Sequence, residues 1–103
     1  MINLDRLKKQ LVIDEGLELK PYHCSADKLT IGVGRNIQEV GITKDEALYL
    51  LGNDIARCAG ECTREFPWFA ELTQLRKEAV INLVFNMGMN TFKKFKKTIA
   101  FIE

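Results

Sequence analysis

The sequence predicts an α+β fold that is mainly helical, and three observations carry that prediction. Apolar residues recur at helical spacing in three separate segments. Between the first two of them, Leu29, Ile31 and Val33 alternate with Thr30, Gly32 and Gly34, the pattern of a short strand. Each helical segment is also bracketed by residues that start and stop helices.

In the first segment Leu4, Leu7, Leu11 and Val12 form a stripe, with Asn3 as the N-cap and Gly16 as the stop. Glu15 follows Leu11 by four and Val12 by three, so it extends the apolar stripe instead of joining the solvated face. A carboxyl there either caps a neighbouring backbone group or belongs to a site. From Lys20 to Gly34 short extended pieces flank a turn at Ser25-Ala26-Asp27, and Pro21 makes the first piece short or places it at an edge. Glycine on the strand's polar face leaves an open space around the Thr30 hydroxyl and suggests close approach by a ligand or another backbone.

The second helix opens at Thr43-Lys44-Asp45-Glu46, a capping box, and runs to the Phe66-Pro67 break. Its stripe of Leu48, Leu51, Ile55, Cys58 or Ala59, and Cys62 is long for a chain of this size and suits a spine between two lobes. The third helix follows Thr73 and stops at Gly88. It is apolar nearly all round from Ala79 to Met87, which predicts a central buried helix. Asn82 and Asn86 stand on one line of it with Glu78, either satisfied by backbone or lining a polar cleft. In the last segment Phe92, Phe95, Ile99 and Ile102 share a stripe, while Lys93, Lys94, Lys96 and Lys97 form a basic face.

Bulk properties narrow the function. A chain of 103 residues, 47% hydrophobic and 28% charged, has the make-up of an ordinary small globular domain. A net charge of +1 argues against electrostatic capture of nucleic acid. Three cysteines without paired spacing are not a disulfide framework, and Cys58 and Cys62, four apart on one helix face, read as core thiols. With one histidine in the chain, neither a metal nor a cofactor is expected. Charges at Asp5, Arg6, Lys8, Lys9, Asp14 and Glu15 leave no room for a signal-peptide apolar core or a transmembrane segment, so synthesis in the cytoplasm is expected.

Several separated motifs in collinear order, EGLELKPY, then Cys24, LTIGVG, GITKDEA and LRKEAVINLVFNMG, resemble the phage-type lysozymes of glycoside hydrolase family 24, the T-even-phage-like endolysins. The resemblance covers most of residues 4 to 99. It implies a lysozyme-like two-lobed fold. A small β-hairpin lobe would occupy about 14–42, a connecting helix about 43–66 and a partial helical lobe 67–103, all in one domain. The family's chains continue through further helices, so the C-terminal lobe is expected to be incomplete.

The resemblance implies hydrolysis of the β-1,4 bond between N-acetylmuramic acid and N-acetylglucosamine in bacterial peptidoglycan. Glu15 matches the catalytic acid, and its place on an apolar stripe suits a carboxyl held protonated by partial burial. Cys24 stands at the second catalytic position, usually Asp, and Thr30 at the residue that holds the attacking water. Asp27 is the nearest replacement carboxylate, but its spacing departs from the motif. Asn36, Phe85 and Thr98 fall at positions that contact the sugar chain, and Asn82 and Asn86 along the cleft. Arg35 replaces a common His.

Two functions follow from the sequence. One is a muramidase acting on the wall after release from the host cytoplasm. The other is a non-catalytic cell-wall-binding or self-assembling fragment, with a homo-oligomer formed through the stripe of Phe92, Phe95, Ile99 and Ile102.

Overall fold

Asn3 opens the first helix by accepting the Arg6 N–H on its side-chain oxygen at 3.1 Å. Helix α1 then runs over Leu4–Glu15 and ends where Gly16, at φ 80°, turns its N–H onto the Val12 carbonyl at 2.8 Å. These features come from a computed structural model that describes residues 1–95. The chain divides into two compact units, Met1–Lys44 and Asp45–Glu103.

The first unit holds α1 and a three-stranded antiparallel sheet in the order β1 (Glu18–His23), β2 (Leu29–Gly32), β3 (Arg35–Asn36). The hairpin expected from sequence thus gains a short third strand. β1 is an edge strand, as Pro21 requires, and its pairing with β2 is shifted between Glu18 and Tyr22. The turn from β1 to β2 closes through Cys24 N–H to the Lys28 carbonyl at 3.0 Å and Asp27 N–H to the Cys24 carbonyl at 2.8 Å. Asp27 takes the left-handed position at φ 59°, which Asp tolerates better than most residues.

Three expectations for this unit change. Thr30, placed by sequence on an open face, is its buried residue at 3% exposure, while Leu29 and Ile31 are only half-buried. With so little apolar material in a three-stranded sheet, the interior holds a hydroxyl whose proton is bonded to the backbone. Glu15 is exposed, not partly buried. None of the residues of α1 is buried, its leucines included.

Helix α2 occupies Lys44–Glu65, all but its first residue in the second unit, and is followed there by a 3-10 turn at Phe69–Glu71, α3 at Gln74–Met87 and α4 at Met89–Lys93. Thr73 caps α3 by accepting the Arg76 N–H, and Gly88 at φ 83° ends it. The core consists of Cys58, Cys62, Phe66, Phe69, Val80, Val84 and Phe92. Phe66 stacks on Trp68 at 4.7 Å and meets the edge of Phe92 at 5.6 Å. Cys58 and Cys62 are therefore core thiols, with Cys62 wholly buried.

Here too burial is narrower than the sequence pattern. α3 buries only Val80 and Val84, and leaves Leu75 79% exposed, because the described elements cover one side of it. The α2 stripe is buried at its C-terminal half alone; Leu48, Leu51 and Ile55 are exposed. Phe92 belongs to the core at 1% exposure and not to an exposed stripe. Phe95 is exposed, and Ile99, Ile102 and Thr98 lie outside the described residues.

Two outcomes test this packing. Phe92→Ala should destabilise the chain by about 3–5 kcal/mol, most of the stability of a small domain, measured by urea unfolding. Burial pushes the Cys62 thiol up to about 12. Unfolding frees it to ionise at its ordinary value, so stability should be complete below about 9 and fall as pH rises from there towards about 12. Cys62→Ala should flatten that alkaline limb.

Candidate active site

The first unit carries candidate chemistry at both ends of β2, with Cys24 in the turn before it and Glu15 beside the turn after it. Glu15, the last residue of α1, lies against the turn after β2: a Cβ placed on Gly34 would stand 3.2 Å from Oε2 and 3.7 Å from the Glu15 Cβ. Gly34 is at φ +66°, so both its conformation and its neighbour favour a bare Cα. The sequence pattern signalled close approach here, and the group that lies against Gly34 is the Glu15 side chain of the same unit.

Cys24 and Thr30 meet at the hairpin. The backbone N–H groups of Lys28 and then Ala26, followed by the Thr30 hydroxyl, hold the half-exposed Cys24 thiol below its ordinary value by hydrogen-bonding its ionised form. The same Thr30 hydroxyl donates to the Lys28 carbonyl at 2.8 Å. It has one proton to give, so its donation is divided between that carbonyl and a Cys24 thiolate, and its lone pairs stay available to accept. Burial acts oppositely on the core thiols, raising Cys58 and Cys62.

Strand register adds two neighbours. Tyr22 and Asn36 pair with Thr30 from either side, so the three side chains share one sheet face. Asn36 donates to Glu39 Oε2 at 3.4 Å and accepts the Glu39 N–H at 3.1 Å, and Glu39 in turn pairs with Lys28 at 2.8 Å. Arg35 donates to the Gly41 carbonyl at 3.2 Å. Asp27 is turned outward onto His23 at 3.3 Å and is 92% exposed.

The second unit carries a separate groove of about 310 Å³, lined by Leu51, Ile55, Glu78, Ile81, Asn82, Phe85 and Asn86. The asparagines are bonded to one another and also stand at this groove, whose lining is mostly apolar. Asn86 donates to the Asn82 carbonyl at 2.9 Å and to Asn82 Oδ1 at 2.7 Å, yet both amides line the groove. No cluster of three or more potential metal ligands occurs among the described residues. No helix among them is long and apolar enough to cross a membrane.

Comparison with known proteins bears on what this arrangement is for. The family model described as phage lysozyme matches residues 13–100. The chain belongs to the phage lysozyme family. The match takes in Glu15, Cys24, Thr30 and the α3 asparagines together. An endolysin of Acyrthosiphon pisum secondary endosymbiont phage 1 is 39% identical over 82 residues, which cover 76% of this chain and 54% of that protein. Two Dictyostelium discoideum proteins named probable T4-type lysozymes 2 and 1 are 27% and 28% identical, with 94% of this chain aligned to 74% of each. The chain thus spans about half the length of the phage relative and three quarters of the amoebal ones.

Of the residues singled out by sequence, Glu15, Cys24, Thr30 and Asn36 fall in the first unit, and Asn82, Phe85 and Asn86 gather at the groove of the second. Sequence reasoning passed over Tyr22, whose position opposite Thr30 depends on strand register, and left Glu78 without a role although it shares the asparagine line.

The thiol's surroundings predict selective chemistry. Iodoacetamide at neutral pH should modify Cys24 in the native protein and spare Cys58 and Cys62 until denaturation, as read by mass spectrometry. Thr30→Val removes one of the donors that lower the thiol, so alkylation at neutral pH should slow. An unchanged rate would remove Thr30 as a contributor.

Proposed function

We propose that the chain is a muramidase that cleaves the β-1,4 bond between N-acetylmuramic acid and N-acetylglucosamine in bacterial peptidoglycan. The observation that carries this reading is the hairpin in which backbone amides and Thr30 favour an ionised Cys24, in the same unit as Glu15. A glycosidase needs a proton donor for the leaving oxygen and a second group that tolerates or stabilises positive charge on the ring.

In this mechanism Glu15 gives its proton to the glycosidic oxygen as the bond to the anomeric carbon breaks. A Cys24 thiolate faces the developing oxocarbenium charge in the role that a carboxylate fills elsewhere in the family. Water adds to the anomeric carbon while donating to the Thr30 oxygen, whose own proton rests on the Lys28 carbonyl, and its released proton is taken up by the thiolate. Asn36, beside Thr30 in the sheet, and the Asn82, Phe85 and Asn86 groove are the proposed contacts to the sugar chain, with Thr98 a further one by resemblance alone. Amides suit acetamido and hydroxyl groups, and an aromatic edge suits a pyranose face. Access to the wall from the cytoplasm would require a separate agent that opens the membrane.

The test is release of new reducing ends from purified peptidoglycan. The parent should release them and Glu15→Gln should lose about 10²–10⁴-fold, the scale of a general acid. Cys24→Asp should keep or raise activity, and Cys24→Ser should lower it. No release by the folded parent, with wall binding retained, would leave the chain a binding module.

A further inference from the structure

We propose that Gly34 is a positioning residue for Glu15: its bare Cα edge forms the surface along which the acid's side chain lies. This rests on the reading of Glu15 as the proton donor. Contact with a Cβ at Gly34 would run along the acid side chain, from the Glu15 Cβ at 3.7 Å through the carboxyl carbon at 3.6 Å to Oε2 at 3.2 Å. The contact at Oε2 is tighter than ordinary van der Waals approach, so a methyl group there must push the carboxylate aside by a few tenths of an ångström. Glu15 is the last residue of α1 and its side chain is exposed, so the carboxylate end of the side chain is the part that yields. Displacement on this scale is felt in kcat, since misplacement by about 1 Å can cost about 10²-fold.

The sheet supplies its own control. Gly32, two residues earlier, is at φ +73° and would meet nothing within 4 Å if given a Cβ. Gly32→Ala and Gly34→Ala therefore impose the same kind of backbone strain, but only the second touches Glu15.

Two measurements on the full chain decide the matter. In peptidoglycan hydrolysis, Gly34→Ala should lower kcat about tenfold more than Gly32→Ala with KM changed less than twofold. Equal losses in the two variants would overturn the proposal. The second measurement is a double-mutant cycle in thermal stability, which needs no activity and so separates this proposal from the catalytic reading. Gly34→Ala should cost less Tm in a Glu15→Ala background than in the parent, whereas Gly32→Ala should cost the same in both. If Gly34→Ala fails to fold alone, recovery of folding on adding Glu15→Ala supports the contact. The same Tm loss in both backgrounds, or failure to fold in both, overturns it.

Discussion

The Lys28 carbonyl is the acceptor on which the first unit depends. It takes the Cys24 N–H at 3.0 Å and the Thr30 hydroxyl at 2.8 Å, so one oxygen closes the hairpin turn and fixes the buried side chain of the next strand. Both lone pairs are used, and a buried hydroxyl left without that acceptor would cost about 1–3 kcal/mol. The Lys28 N–H meanwhile faces the Cys24 thiol. The backbone of a single residue thereby sets where the thiol sits, how readily it ionises and which way the Thr30 proton points. The lysine side chain adds a link to Glu39, which holds Asn36 on the third strand. That link is partly exposed, so it orients more than it stabilises.

The two units solve the problem of stability differently. The second has a conventional interior in which Phe66, Phe69 and Phe92 surround Val80, Val84 and two thiols. Burial there suppresses ionisation, which makes Cys58 and Cys62 small apolar fillers. The first has hardly any apolar interior, and its one buried residue is a threonine. Its order comes from backbone pairing and a turn residue at positive φ, which leaves a cysteine half-exposed among donors. The same side-chain type is inert in one unit and activated in the other because of what surrounds it.

Element limits were legible wherever a local rule sets them. Asn3, Gly16, Thr73 and Gly88 cap or stop their helices as their types require, and Pro21 marks an edge. Burial was legible only in part, because it depends on what packs against a face. The α3 sequence is apolar on every side, yet only the line through Val80 and Val84 is covered by the described elements. Phe92 shares a period with Phe95 but faces Phe66. Alternation in β2 correctly separated two faces and misassigned which is inside. The decisive term was a hydrogen bond from Thr30 to a carbonyl two residues earlier, which no hydrophobic pattern encodes. Individual site residues were visible through family motifs, while Tyr22 required the register and the Glu15 contact required the path of the β2–β3 turn.

On the mechanism proposed, a thiol in place of a carboxylate changes what the hairpin must do. A carboxylate is charged at neutral pH without help, whereas a thiol at its reference value near 8.5 is mostly neutral there. Only the population with a proton on Glu15 and none on Cys24 is competent. That population shrinks as pH falls and Cys24 gains a proton. Every donor that lowers the thiol raises the thiolate fraction on which the mechanism depends. The amides of Lys28 and Ala26, which a carboxylate would accept as a convenience, become a condition of activity for the thiolate. Thr30 is then constrained twice, by its place beside the sulfur and as an acceptor from water. Its single proton rests on the Lys28 carbonyl at 2.8 Å, which leaves the oxygen's lone pairs turned to the nucleophile.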